Sequence, residues 1–130
     1  MNRDVISEIT LDVATKPSEY ITVRAKQGDS NSRKIHAIIT NNGEMYPVSN
    51  ESIAKINFCR YDEQTQSFEC EIEEDGSLML PVPSWAIELP YTVTCDVSII
   101  KNITIGGATR RSRLTTFNFY IDVEASTSLS

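Results

Sequence analysis

Apolar side chains recur at every second residue through most of this chain. In the first such segment Ile9, Leu11 and Val13 alternate with polar residues. Because successive side chains of a strand point to opposite faces, this alternation predicts a strand that is buried on one face. The same period recurs in segments 21–25, 35–39, 54–58, 68–72, 78–82, 93–99 and 117–123. No segment has sustained helical periodicity, so the chain is predicted to be all-β.

Turn-forming residues separate the predicted strands. Reversals are expected at Asn42-Gly43, whose residues readily adopt the positive φ angles of a tight turn, at 74–76 and at 106–107. Three prolines between Pro81 and Pro90 exclude that segment from a sheet interior. We expect a short helical turn there, with Trp85 closing one end of the core. The pattern predicts an antiparallel two-sheet β-sandwich of about eight strands with one short helical turn near Trp85.

The length of the chain fits one domain. Its 130 residues fall in the range of roughly 100 to 150 in which a single core closes without metals or disulfides. We expect residues 1–124 to form one sandwich domain. Residues 125–130 change abruptly to small polar side chains, which predicts a linker-like tail leading to a segment absent from this chain.

Acidic residues outnumber basic ones. The 18 Asp and Glu against 12 Lys and Arg give a net charge of −6, which repels a phosphate backbone and predicts no nucleic-acid partner. The basic cluster Arg110, Arg111 and Arg113 is interpreted as a solvated hairpin tip on one turn, with contact to an acidic partner as the alternative. The sequence lacks the apolar runs of a signal peptide or a membrane span, so synthesis in a cytoplasm and no membrane contact are expected.

Residues that perform catalysis or bind metals are few. A nucleophilic Ser or Cys usually needs a neighbouring base, and the single histidine, His36, is predicted to lie half-exposed on the outward face of the third strand. Cys59, Cys70 and Cys95 lack zinc-ligand spacing and are predicted to be buried free thiols on inward faces. The glutamates of 69–73 lie about 7 Å apart along a strand, too far for a calcium cage. The sequence therefore predicts no catalytic residue, no metal site and no cofactor.

Several segments, taken in order, resemble one known family. The most distinctive is the run from Gln27 through Asp29, Asn31 and Ser32 to Arg33. The pattern also includes 9–13, 23–26, 35–43, Arg60 with Asp62, 80–85, 93–97 and 114–123. Together these segments resemble the N-terminal domain of phage baseplate upper proteins, which are tail components of phages of Gram-positive bacteria.

The resemblance implies a non-enzymatic structural adaptor. Such a domain docks on the distal tail protein at the central tail hub. A C-terminal part, absent from this chain, would make the full-length protein a trimer and carry the receptor-binding modules. The implied location is the tail baseplate of the virion, after assembly in the cytoplasm of the bacterial host, and the implied process is host attachment.

The loop with the most distinctive sequence supplies the candidate docking residues. Gln27, Asp29, Asn31 and Arg33 lie on a polar loop of a rigid scaffold, where directional contacts are available to a partner. An equally weighted alternative is that Asp29, Asn31 and Ser32 cap their own turn.

Aromatic residues suggest a second function. Rings on a sandwich can form a stacking platform for sugars, and the candidates are Tyr20, Tyr46, Tyr61, Trp85 and Tyr120. The second hypothesis is therefore a carbohydrate-binding β-sandwich that contacts host cell-wall polysaccharide, against ordinary core and surface roles for these rings. The paired carboxylates of a glycosidase are a third option that counting alone leaves open.

Overall fold

Two β-sheets face each other and enclose one core in the computed structural model, which describes residues 4–29 and 32–127. The first sheet contains β1 (Val5–Asp12), β3 (Arg33–Asn41), β4 (Glu44–Met45), β7 (Glu71–Ile72) and β8 (Leu78–Pro81). The second contains β2 (Thr22–Lys26), β5 (Ile53–Cys59), β6 (Thr65–Glu69), β9 (Thr92–Ile105), β10 (Ala108–Thr115) and β11 (Phe119–Glu124). A single 3-10 turn spans Ser84–Ile87. The predicted all-β sandwich with a short helical turn near Trp85 is confirmed.

The core is built from the alternating residues of the two facing sheets. Phe58 of β5 and Phe119 of β11 are its largest buried side chains. Burial of a side chain of this kind contributes roughly 1.5 to 3 kcal/mol. The inward set of β9 is Val93, Cys95, Val97 and Ile99, and that of β3 is Ile35, Ala37 and Ile39. No helix of the described residues is long and apolar enough to span a membrane.

Strand pairing differs from the antiparallel expectation at two places. β1 pairs with β3 in parallel, with Ile9 beside Ala37, and β2 pairs with β11 in parallel, with Val23 beside Ile121. The reason is that β1 and β2 lie in different sheets, so each finds its partner further along the chain. Alternation shows which face of a strand is buried and contains no information about its neighbour.

The predicted strand 68–72 is two strands in different sheets. β6 pairs with β5, and β7 pairs with β8. Between them lies buried Cys70, whose backbone N–H donates to the Ala54 carbonyl at 2.8 Å. The chain therefore crosses from one sheet to the other at this residue while its side-chain alternation continues.

The predicted strand 93–99 is longer than expected and has an unpredicted partner. β9 continues to Ile105, the chain reverses at 106–107 as predicted, and β10 returns beside it. The last β9 residue that pairs with β5 is Ile100, opposite Ile53. Residues 101–113, here called the arm, extend beyond that pair, and all of them are exposed. The arginine cluster therefore lies along strand β10 of the arm, so its predicted place on one turn was wrong.

The cysteine prediction is confirmed at two positions and wrong at the third. Cys70 and Cys95 are buried free thiols, whereas Cys59 is exposed. The reason is parity: Phe58 points into the core, so the next side chain of β5 points outward. Burial raises the pKa of the Cys70 thiol to about 12, which keeps it protonated at neutral pH.

Asp12 at the end of β1 joins three segments. Its carboxylate accepts hydrogen bonds from backbone N–H groups of Ala14 (2.7 Å), Thr15 (2.6 Å), Asn42 (3.1 Å) and Gly43 (2.8 Å) and from the hydroxyl of Thr40 (2.7 Å). These bonds, led by that from Gly43, hold the pKa of Asp12 far below its ordinary value. Asp12 thereby fixes the β3–β4 hairpin, where Asn42 and Gly43 have the predicted positive φ angles of 53° and 84°.

Replacing Asp12 by Asn should lower the melting temperature at neutral pH, because an amide has one acceptor oxygen where the carboxylate has two. Because the pKa of Asp12 is lower in the folded state, its ionised carboxylate stabilises the fold at pH values above the unfolded-state pKa of about 3.9. This stabilisation is lost as the pH falls toward the folded-state pKa. Calorimetry of the wild type and of Asp12→Asn should therefore show a Tm difference that narrows below about pH 4.

The matched control is Asp122→Asn, which changes an exposed carboxylate on β11. It should leave the melting temperature nearly unchanged at neutral pH. A difference in Tm between the wild type and Asp12→Asn that stays constant as the pH falls below about 4 would contradict the proposed role of the carboxylate.

Candidate docking surface

The loop between β2 and β3 contains the candidate docking residues. The backbone N–H of Gln27 donates to the Glu124 carbonyl at 2.8 Å, which extends the parallel pairing of β2 with β11 by one residue. The chain then turns through Gly28, whose φ of 89° suits a residue without a side chain. Asn31 lies outside the described residues.

Asp29 and Arg33 form an ion pair across this loop. Arg33 Nε donates to Asp29 Oδ2 at 2.6 Å, and its Nη1 donates to the Arg24 carbonyl at 3.3 Å. Their side chains are 35% and 23% exposed. The structure brings these two candidates together, and they fasten the two ends of the loop while still facing solvent.

Gln27 connects the loop to two other segments. Its Nε2 donates to the Glu88 carbonyl at 2.8 Å, and its Oε1 accepts from the Ser126 N–H at 3.3 Å. The side chain of Gln27 therefore joins this loop to Glu88, which follows the 3-10 turn, and to the segment after β11.

Arg60, the residue after β5, is the centre of a second set of contacts beside Glu88. Its Nη1 donates to Glu88 Oε1 at 2.7 Å and to the Trp85 carbonyl at 3.0 Å, and its Nε donates to Asp62 Oδ1 at 3.1 Å. The guanidinium carbon lies 4.7 Å above the Trp85 ring centroid, in cation–π range. Only 10% of the Arg60 side chain is exposed. The hydrogen bonds between Arg60 and Asp62 lower the pKa of Asp62 and, together with that to Glu88, raise the pKa of Arg60 itself.

Trp85 closes this end of the core, as predicted. Its ring lies 6.3 Å from that of Phe58 and 6.5 Å from that of Phe68, between centroids. Trp85 thus lies between the rings of Phe58 and Phe68 on its core side and the guanidinium of Arg60.

Two exposed tyrosines lie next to these charged groups. Tyr61 and Tyr91 stack with ring centroids 4.5 Å apart, and they are 70% and 49% exposed. Tyr61 follows Arg60 in the chain, and Tyr91 lies three residues after Glu88. The sequence reasoning considered Tyr61 alone, because no spacing rule relates two rings that lie so far apart in the chain.

Contacts of Gln27 with Glu88 and of Glu88 with Arg60 link these segments. The set is here called the loop end: Gln27, Asp29, Arg33, Arg60, Tyr61, Asp62, Glu88 and Tyr91. It combines fixed charges with exposed rings, and Tyr and Arg are the residue types that contribute most to binding at protein interfaces. Because each charged group is already held by an internal partner, the surface is ordered before any partner arrives.

His36 has partners that the sequence did not reveal. It is half-buried on the outward face of β3, with Nε2 2.8 Å from Ser77 Oγ and Nδ1 3.5 Å from Glu8 Oε1. The Ser77 hydroxyl donates to Asp75, and that bond lowers the pKa of Asp75. His36 must then donate to Ser77, which is the reverse of the proton transfer that a nucleophilic serine needs.

No group of three or more His, Cys, Asp or Glu within residues 4–29 and 32–127 is arranged to hold a metal ion.

Comparison with known proteins agrees with the resemblance seen in the sequence. The family model described as the BppU N-terminal domain matches residues 5–130. No curated protein matches the chain. The solved N-terminal domain of ORF48 of phage TP901-1 is similar at 20% identity and a TM-score of 0.70, covering 92% of this chain and 98% of that one. The structural likeness confirms the sandwich fold.

Replacing Arg60 by Lys should lower the melting temperature and shift the fluorescence of Trp85 to longer wavelength. An ammonium is a point charge without the planar fork that bonds Asp62, Glu88 and a carbonyl together. Trp85 is the single tryptophan, so intrinsic fluorescence reports on this end of the sandwich alone.

The matched control is Arg111→Lys, the same exchange on the exposed arm. It should change neither signal. A Tm and an emission maximum of Arg60→Lys equal to those of the wild type would show that the Arg60 contacts do not stabilise the loop end.

Proposed function

We propose that this chain, which belongs to the family of BppU N-terminal domains, is a structural adaptor that docks on the central hub of a phage tail. Membership of this family makes the chain a structural component of a phage baseplate. In the proposed arrangement the partner is the distal tail protein, and the adaptor is not an enzyme. The site of action is the virion baseplate, after assembly in the bacterial cytoplasm.

The observation that supports docking is the construction of the loop end. Asp29 and Arg33 are held in fixed directions by their ion pair, and the stacked rings of Tyr61 and Tyr91 are exposed beside the Arg60 contacts. A pre-ordered surface of charges and rings loses little entropy when it binds. We therefore assign docking to this surface, with Gln27, Asp29, Asn31 and Arg33 as the polar contacts.

The C-terminal segment supports the role of a linker between modules. The backbone of Ser126 contacts Gln27, so the chain leaves the sandwich beside the loop end. We propose that residues 1–124 form the domain and that 125–130 lead to a C-terminal part. That part would make the full-length protein a trimer and connect it to receptor-binding modules.

Docking is tested by measuring the affinity of purified hub protein for three forms of this chain by calorimetry. Asp29→Ala with Arg33→Ala should weaken binding at least about tenfold, since it removes two directional charges from the interface. The charge swap Asp29→Arg with Arg33→Asp keeps an ion pair across the loop and reverses the positions of the two charges that face a partner. It should weaken binding equally.

Circular dichroism must show both variants folded, and Glu19→Ala, an exposed change outside the loop end, should bind like the wild type. Full affinity of the charge swap would mean that these side chains only shape the loop. Full affinity of both double variants would contradict docking through Asp29 and Arg33.

A second function, carbohydrate binding, is favoured by one other feature. Tyr20 and Tyr120 meet edge to face with centroids 5.3 Å apart, and Tyr20 is 81% exposed. They wall a cavity of about 360 Å³ together with Thr22, Thr92 and Asp122. An exposed ring beside hydroxyls and a carboxylate offers both stacking and hydrogen bonds to a sugar.

Calorimetry with cell-wall polysaccharide fragments should detect this second function as binding that Tyr20→Ala abolishes and Tyr46→Ala leaves intact. Tyr46 is exposed and lies outside the cavity. A flat response of the wild type across the fragments would remove the carbohydrate hypothesis and leave the docking proposal unaffected.

A further inference from the structure

The arm presents a positive surface on an acidic protein. Residues 101–113 contain Lys101, Arg110, Arg111 and Arg113 and no acidic residue. The arm therefore has a charge of +4, and the rest of the chain has −10 against the −6 of the whole. Among the described residues none of the ion pairs includes an arm residue. Arg113 Nη2 donates to Ser98 Oγ at 3.1 Å, and the charges of Lys101, Arg110 and Arg111 are available to another molecule.

The arm also exposes apolar side chains beside its charges. Ile103 and Ile105 are 40% and 70% exposed, and Ile103 lies directly opposite Arg110 on the same face of the hairpin. The hydroxyls of Thr104 and Thr109 are 3.2 Å apart across the strands. A two-stranded hairpin that projects without other cover is an element that a partner surface can enclose.

The complementary surface lies on the other sheet of the same protein. An acidic cleft of about 550 Å³ opens over β1, β3 and the β7–β8 turn. Its lining is Ile6, Glu8, His36, Glu73, Glu74, Asp75, Ser77 and Met79. The cleft thus combines carboxylates with apolar side chains, and Glu73 and Glu74 form no ion pair among the described residues.

We propose that the arm of one copy inserts into the acidic cleft of a second copy. Charge favours this occupant, because a projecting basic hairpin with exposed isoleucines is complementary to an open acidic cleft lined in part by Ile6 and Met79. The arm belongs to the second sheet and the cleft to the first, so each copy offers one arm and one cleft. This self-association uses neither Asp29 nor Arg33 and is separate from docking on the hub.

The test is sedimentation velocity of this chain at concentrations up to about 0.5 mM, where contacts of millimolar to micromolar affinity are populated. The wild type should associate with increasing concentration at low salt. The association should weaken at about 0.5 M NaCl, where charges are screened within roughly 4 Å. A wild type that stays monomeric at low salt and the highest concentration would overturn the proposal.

Two charge reversals identify the surfaces. Arg110→Glu with Arg111→Glu changes the arm, and Glu73→Lys with Glu74→Lys changes the cleft. Each variant alone should lose at least about tenfold in association constant, because the reversals take the charge of the arm from +4 to 0, or that of the four cleft carboxylates from −4 to 0. An equimolar mixture should associate again, since the unaltered arm of the cleft variant meets the unaltered cleft of the arm variant.

The control is Lys16→Glu with Lys26→Glu, which changes the net charge by the same amount as the arm variant on exposed residues outside the arm and the cleft. It should associate far more strongly than the arm variant, because its added negative charge lies outside both surfaces. A mixture that remains monomeric, or reversal variants that associate like the wild type, would overturn the assignment of arm to cleft. Loss of hub binding by the arm variant with unchanged self-association would do so as well, in favour of the hub as the occupant.

Discussion

Burial of two sheet faces in one shared core is the constraint on which the rest of this structure depends. Neither sheet can cover its own apolar face without the other. In the second sheet β5 and β9 are neighbouring inner strands, and their residues Phe58 and Val97 are fully buried between the two sheets. The chain meets this demand by crossing between the sheets, including from β2 to β3, at Cys70, and from β8 to β9. The crossings from β2 to β3 and from β8 to β9 pass through loops, and these loops contain Gln27, Asp29, Glu88 and Tyr91 of the loop end.

The loop end shows how the core orders a surface. The aromatic contacts run from Phe58 to Trp85, and Arg60 lies over the outer face of that ring. Arg60 then orients Glu88, whose carbonyl accepts from Gln27. A side chain of the β2–β3 loop is therefore connected to the core through a series of direct contacts. Such a surface fits the proposed role of an adaptor, whose function depends on the geometry it imposes on its partners.

Alternation in the sequence predicted the faces of the strands, and the structure confirms them from Leu11 to Val123 except at Phe117, which is 38% exposed and precedes β11. It could not predict partners, so the two parallel pairs and the division at Cys70 were missed. Strand β10 was missed because both of its faces are exposed along the arm, which leaves no apolar period to recognise. Cys59 was misplaced although its own parity, one residue after Phe58, already pointed it outward.

The candidate site was predictable only where its members are close in sequence. Asp29 and Arg33 lie four positions apart in a loop whose residue pattern is distinctive, whereas Tyr61 and Tyr91 are brought together by the ends of β5 and the 3-10 turn. The partners of His36 depended on strand pairing in the same way, since Ser77 precedes β8, which is the neighbour of β3.

Hydrogen–deuterium exchange of this chain, free and bound to purified hub protein, tests most directly whether the loop end is the docking surface. Slower exchange on binding is expected for the amides of 26–29, 60–64 and 88–91, with exchange in the first sheet beyond Arg33 unchanged. Protection confined to other elements, such as β1 or the arm, would contradict the assignment of docking to the loop end.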